Sequence, residues 1–307
     1  MRRPARRRVL GAAATVLVAG CLGGDSGGRD ESTASASATA TTGPSPSATT
    51  TATAAALGTE RTVGGVPVRI SNLTVQDAVL YLDSPDSMAV ESREDERYVV
   101  VSVAATPSGD GAAPPASAVD LSLDGERVGV ADVRAGLDDR AARYDPSIGV
   151  AEGYLPFLVP VGVDVTEAQV VVEHGDDSAA WELEEAHLTA LRRPKARFEL
   201  RDVDIPSTIT ADEPVSVRVA AENISGVVGV FRGVLNVAGL GAAYVPYAFS
   251  LDAEPGETVV WEKRFDEHPP EGAESVGFYL KTVVGERSVE AAVGNGTART
   301  ESATVTQ

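Results

Sequence analysis

The sequence predicts an all-β protein with two antiparallel β-sandwich domains, preceded by a long segment that cannot form a core. Three observations support this fold class. Apolar and polar residues alternate from residue 60 onward, glycine-based turns separate the alternating stretches, and the regular strand-then-helix pattern of a parallel sheet is missing. Short strands at this spacing are typical of sandwiches. We expect a first domain over 60–191, a hinge at 192–197 and a second domain over 198–307.

The first domain shows strand patterns of two kinds. Residues 66–70 alternate apolar and polar side chains, whereas 98–105 form a continuous run rich in β-branched residues. Asp124-Gly125 lies between two alternating segments and predicts a tight hairpin, because both central positions of a type I′ turn need positive φ. The stretch 132–144 interrupts this pattern and predicts a short helix.

The second domain begins after a basic, proline-bearing stretch, residues 192–197, that is typical of a domain boundary. Val215, Val217 and Val219 alternate with Ser216 and Arg218, so the valines are expected to face one side of a sheet. Later stretches alternate in the same way around glycine-based turns. About 110 residues of this pattern predict a second sandwich.

Both domains resemble immunoglobulin-like families. Residues 197–293 resemble an adhesion-related surface domain of bacteria and archaea in three motifs: FELRDVDIP (198–206), AENISG (221–226) and PGET (255–258). Residues 66–184 resemble a second immunoglobulin-like family of exported lipoproteins, through RYVVVSVAA, LSLDGE and YLPFLVP. The resemblance implies two immunoglobulin-like sandwiches, and these motifs imply no catalytic chemistry.

The N-terminus has the order of an export signal. Five arginines, including Arg6, Arg7 and Arg8, precede twelve uncharged residues, Val9 to Gly20. A membrane-spanning helix needs about 20 apolar residues, so this run predicts a cleaved signal peptide over 1–20. The consecutive arginines resemble a twin-arginine signal, in which the passenger crosses the membrane already folded.

The single cysteine of the chain follows that run. Val18, Ala19, Gly20 and Cys21 resemble the lipobox of lipoproteins, in which the thiol is alkylated by a lipid and the chain is cut before the cysteine. Among ordinary side chains, a thiolate is the strongest nucleophile toward carbon, which explains why a cysteine is needed for lipid attachment. An unmodified thiol in a discarded signal peptide is the alternative.

Residues 21–59 are expected to form a disordered linker. Of the 25 residues from 32 to 56, 13 are serine or threonine, and none is charged or aromatic. Such a composition cannot fill a core and resembles an O-glycosylated stalk. The linker would hold the domains away from a lipid surface.

The composition is acidic and excludes several partners. The chain has 45 Asp and Glu against 26 Lys and Arg, a formal charge of −19, and only three of the basic residues are lysine. Nucleic acid is a poor partner because its phosphates need a basic patch. The composition resembles that of halophilic archaeal proteins, and an ordinary acidic exported protein is the alternative. One cysteine allows no intrachain disulfide.

Motifs for catalysis, cofactors or metals are not recognisable. His174, His187 and His268 have no partner at metal-ligand spacing, so we expect solvated or capping roles and no metal or cofactor. Acidic runs at 83–86, 94–96 and 176–177 leave calcium open as a weaker alternative. The aromatic stretch 244–249 either fills the core or forms a recognition patch.

Three sequons are candidate N-glycosylation sites, at Asn72, Asn223 and Asn295. Together these features predict a lipid-anchored protein on the outer face of the cell membrane, with a non-catalytic binding, adhesion or structural role. Its partner would be an unidentified surface protein or glycan, besides the membrane reached through the lipid. The alternatives are a solute-binding lipoprotein of a transporter and a surface hydrolase with no recognisable motif.

Overall fold

The computed structural model describes residues 53–109, 111–133, 142–210, 213–241 and 244–294, and it confirms the all-β fold class. The strands that form the first sandwich are β1 (Ala55–Ala56), β2 (Glu60–Val63), β3 (Val66–Gln76), β4 (Val79–Ser84), β5 (Ser87–Glu91), β6 (Glu96–Ala105), β7 (Val119–Leu123), β8 (Glu126–Val128), β9 (Glu152–Pro160), β10 (Ala168–His174) and β11 (Asp177–Glu182).

One helix, α1 (Glu185–Arg192), follows the first sandwich within the described residues, and short 3₁₀ turns lie at Ala116–Ala118 and Pro146–Ile148. The second sandwich contains β12 (Phe198–Asp204), β13 (Thr208–Thr210), β14 (Val215–Asn223), β15 (Gly229–Ala238), β16 (Val245–Ala253), β17 (Thr258–Phe265), β18 (Ser275–Thr282) and β19 (Gly285–Gly294).

Two sheets enclose the core of the first sandwich. Their strand orders are β1-β11-β10-β7-β8 and β2-β3-β6-β9, and β4 pairs with β5 in a separate hairpin. Trp181 is fully buried between the sheets, and its Nε1 donates to the Thr59 carbonyl oxygen at 2.7 Å. The indole therefore buries a large apolar surface while its one polar atom stays hydrogen-bonded.

The strand patterns expected for the first sandwich are present. Asp124 and Gly125 have φ values of 46° and 87° at the turn between β7 and β8, as a type I′ hairpin requires. The continuous apolar run of β6 arises because both faces of this strand are covered. Val99, Val101 and Val103 face the main core, while Tyr98 and Val100 lie in a second cluster on the opposite face.

The start of the folded part differs from the predicted linker boundary. β1 lies inside the 21–59 stretch assigned to the linker, yet it pairs in parallel with β11, and Ala55 is buried in the core. The pairing supplies hydrogen-bond partners to the otherwise open edge of β11. The composition of the linker gives no sign of this pairing. α1 was not predicted, and most of the helix predicted at 132–144 lies outside the described residues.

The second sandwich has sheets of order β12-β14-β17 and β13-β19-β18-β15-β16. Val215, Val217 and Val219 are buried as the alternation predicts. β13 pairs with β19 in parallel, whereas the other strand pairs of the second sandwich are antiparallel. Gly233 lies opposite Phe249, where a Cβ atom would approach the ring within 2.2 Å, so the close packing of β15 on β16 requires glycine.

Within the described ranges, no helix has both the length and the apolar character needed to cross a bilayer.

Candidate functional site

The β4–β5 hairpin of the first sandwich packs on β15 of the second sandwich. Asn236, on β15, is fully buried, and its side-chain amide bonds both the backbone N–H and the backbone carbonyl group of Met88. Its Oδ1 accepts from Met88 N at 2.9 Å, and its Nδ2 donates to Met88 O at 2.9 Å. The side chain thus replaces the backbone partners that a neighbouring strand would supply.

Apolar and ionic contacts surround this amide. Leu80 and Met88 pack with Val234 of β15 in a small buried cluster. Nearby, Lys281 Nζ lies 3.3 Å from Asp83 Oδ2, and both side chains remain partly exposed. An exposed pair of this kind contributes about 0–1 kcal/mol. The buried amide and the apolar cluster therefore account for most of the attachment.

A groove of about 420 Å³ lies beside this contact, at the junction of the two sandwiches. We call it the junction groove. Its apolar lining includes Phe198, Ile224, Val230 and Val284, and its basic lining consists of Lys195 and Arg197. The volume falls within the range of roughly 300–1,000 Å³ that is usual for ligand sites.

Lys195 joins the predicted hinge to the first sandwich. Its Nζ donates to Ser92 Oγ at 2.8 Å and to the Arg93 carbonyl oxygen at 2.5 Å. Burial lowers the pKa of its ammonium, and the nearby carboxylate of Asp77 opposes that shift. The 192–197 stretch is therefore held at this point by two hydrogen bonds from a charged donor.

A buried ion pair supports the same region. Arg97 is 0% exposed, and its Nη2 lies 3.0 Å from Asp77 Oδ1. Its Nη1 donates to the carbonyl oxygens of Ala190 and Leu191 at the end of α1. Burial lowers the pKa of the Arg97 guanidinium, while Asp77 opposes the change. Asp77 lines the junction groove with its charge already offset by Arg97.

Most of the residues predicted for export and anchoring lie outside the described residues. These are Arg6, Arg7, Arg8, Val18, Ala19, Gly20 and Cys21, together with the third sequon, Asn295.

The other two sequons lie in opposite environments. Asn72 is exposed at a bulge in β3, with a φ of 48°. Asn223 is 0% exposed, and its Nδ2 donates to the carbonyl oxygens of Val227 and Ala253 at 2.8 and 2.9 Å. Its Oδ1 accepts from Ser225 N and Oγ. Only Asn72 of these two offers a free face for glycosylation in the folded protein.

The histidines are not brought together. His187 Nδ1 accepts from the Glu184 backbone N–H at 3.2 Å, which is a capping role, one of the two roles expected for the histidines. His174 packs against Gly64, and His268 is exposed. In the portions of the chain that the structure describes, no group of three or more His, Cys, Asp or Glu side chains is arranged to hold a metal ion.

The aromatic stretch 244–249 contributes mainly to packing. Phe249 is buried and stacks on Trp261 with ring centroids 4.6 Å apart. Tyr247 meets the ring of Phe265 edge-on at 5.1 Å, and Tyr244 stacks on Tyr279 at 6.0 Å. These contacts favour the core role over an exposed recognition patch.

Sequence reasoning missed the residues that build the junction. Asn236 gave one usable signal, because it is a polar residue inside the apolar strand run 234–237. Arg97 and Lys195 gave none, since their partners Asp77 and Ser92 are set only by the packing of distant segments.

No protein-family model and no curated protein matches the chain. Among solved structures, a β-glucosidase from Listeria innocua in complex with glucose is 15% identical, with a TM-score of 0.28 over 34% of this chain and 17% of that enzyme. A β-glucuronidase from Bacteroides uniformis is 9% identical, with a TM-score of 0.22 over 66% of this chain and 27% of that enzyme. The chain thus spans less than a third of either enzyme, and likenesses this weak assign no activity.

Proposed function

We propose that this protein is a lipid-anchored cell-surface protein whose two sandwiches form a non-catalytic binding module. The observation that carries the proposal is the order of residues 6–21, in which arginines precede twelve uncharged residues, and the lone Cys21 follows Val18-Ala19-Gly20. That order matches a signal peptide and lipobox. Two acyl chains on the cysteine would anchor the protein stably, whereas a single chain binds a bilayer only marginally.

Two further features support a binding role at a distance from the membrane. The Ser/Thr-rich segment between Cys21 and the first strands contains few groups that could pack, so it suits a tether. The junction groove then supplies a concave surface with both apolar and basic groups, which is the composition of a recognition site. Its lining comes from both sandwiches, so binding there depends on their attachment.

The anchor is tested by replacing Cys21 with serine in the native host. We expect the unaltered protein to sediment with membranes and its mature N-terminus to be a lipid-modified Cys21 by mass spectrometry. Cys21→Ser should lose membrane retention. Gly23→Ser is the matched control, because it introduces the same residue two positions later and should stay in the membrane fraction. A mature protein that retains its first twenty residues, or Cys21→Ser protein that still sediments, contradicts the proposal.

A further inference from the structure

The junction groove exposes apolar side chains that a closed interface would cover. Ile224 and Val284 are 44% and 40% exposed, and both line the groove. Phe198 and Val230 lie deeper in the same lining. Apolar surface grouped in a concavity and bordered by charges is typical of an interaction site.

The groove also carries positive charge in a strongly acidic protein. Lys195 and Arg197 line it in a chain whose formal charge is −19. Of the two acidic residues in the lining, Asp77 is paired with Arg97, and Glu94 is exposed to solvent. Within the described residues, Arg197 has no ion-pair partner. Its guanidinium is therefore available to a ligand carboxylate, which it can bind with two parallel hydrogen bonds.

An unpaired strand edge begins at the groove. β12 starts at Phe198, and in its sheet it pairs with β14 alone, so its other edge is open among the described strands. An extended peptide can add to such an edge through backbone hydrogen bonds, while pockets beside the edge select its side chains. This favours a peptide over a ligand without backbone amides.

The residues that precede β12 are attached to the first sandwich. Lys195 bonds both Ser92 and Arg93, so the stretch before β12 and the loop after β5 are joined there. β12 begins at Phe198, so a peptide paired antiparallel with it would have its C-terminus beside Phe198 and Arg197. We propose that the junction groove binds the C-terminus of a partner polypeptide, with its free carboxylate at Arg197 and an aliphatic side chain against Phe198 and Val284.

This inference names the ligand class for the binding role proposed above and rests on that role. The test uses the purified full-length chain and fluorescence anisotropy, with a fluorescein-labelled peptide Gly-Ser-Thr-Ala-Val-Leu that carries a free C-terminal carboxylate. Peptide binding in solution does not need the lipid anchor, and the Cys21→Ser experiment does not need a ligand. Failure of the peptide proposal can therefore be distinguished from failure of the lipid-anchor proposal. We expect saturable binding, and about tenfold weaker binding of the same peptide as its C-terminal amide.

Variants of the protein locate the contact. Arg197→Gln and Val284→Ser change exposed residues of the groove and should each weaken binding by about fivefold or more. Arg264→Gln is the matched control, because Arg264 is an exposed arginine on β17, at the opposite edge of the β12 sheet, and should leave binding within about twofold.

Three results would overturn the inference. The first is equal binding of acid and amide peptides, or no binding at 1 mM protein. The second is an Arg264→Gln effect as large as that of Arg197→Gln. The third is displacement of the peptide by an equal concentration of decanoate, which would assign the groove to fatty acids instead.

Discussion

Replacing Asn236 by leucine tests whether a single buried amide attaches the β4–β5 hairpin to the second sandwich. Leucine has the same branched arrangement of side-chain heavy atoms, but it cannot bond Met88 N and Met88 O, which both lie 2.9 Å from the amide. A buried polar group left without a partner costs about 1–3 kcal/mol, so two such groups predict a loss of about 2–6 kcal/mol in the free energy of unfolding. The partly exposed Lys281–Asp83 pair cannot offset this loss.

Two measurements check this expectation. Urea unfolding followed by circular dichroism gives the change in stability, and hydrogen exchange gives the protection of the Met88 amide relative to amides of β6. Asn236→Leu should lower both. The matched control is Asn223→Leu, which removes an equally buried asparagine within the second sandwich and should lower stability while leaving the relative protection of Met88 unchanged. Unaltered Met88 protection in Asn236→Leu would refute the reasoning.

Four further predictions concern other parts of the molecule. Asp77→Ala leaves the buried Arg97 guanidinium without its ion-pair partner and should destabilise the protein by about 3–5 kcal/mol in urea unfolding, whereas Asp266→Ala, at an exposed pair, should change stability little. Burial raises the pKa of Tyr144 to about 12, so the folded state holds the phenol proton more tightly than the unfolded state. Stability should therefore fall as pH rises from about 10 to 12, and Tyr144→Phe should lose the part of this pH dependence that Tyr144 contributes. The excess of carboxylates predicts a lower melting temperature in dilute buffer than in molar KCl, and an unchanged value would contradict it. Glycopeptide mapping of the protein purified from its native host should find a glycan on Asn72 and none on Asn223, and a modified Asn223 would show that the chain is glycosylated before it folds.

Local patterns predicted the strands because their causes are local. The Asp124-Gly125 turn needs two residues that tolerate positive φ, and the alternating valines of β14 need one buried face, so a few neighbouring residues are sufficient in each case. The helix α1 escaped prediction because its signals are short: Glu184 and His187 cap it, and only Leu188 and Leu191 are buried. Tertiary packing against the first core decides that segment.

The candidate site could not be predicted in the same way. The junction groove is formed by segments near residues 77, 92–94, 195–198, 224–230 and 283–284, which are far apart in the chain. RRPKAR indicated a hinge, but its role in lining a groove depends on the bonds from Lys195 to Ser92 and Arg93. Sequence periodicity contains no information about such contacts.

The amino-acid sequence by itself determined the all-β class, the acidic surface charge and the turns that divide the strands, because these depend on composition and on neighbours within a few residues. Only the tertiary structure decided the parallel pairing of β1 with β11, the burial of Asn223 and the attachment of β5 through Asn236. The same holds for the edge of β12 that no other described strand covers, beside a basic, apolar groove. Each of these features depends on hydrogen bonds between backbone and side-chain groups that are far apart in the chain. The free energy of such hydrogen bonds is set by burial, which no local sequence pattern encodes.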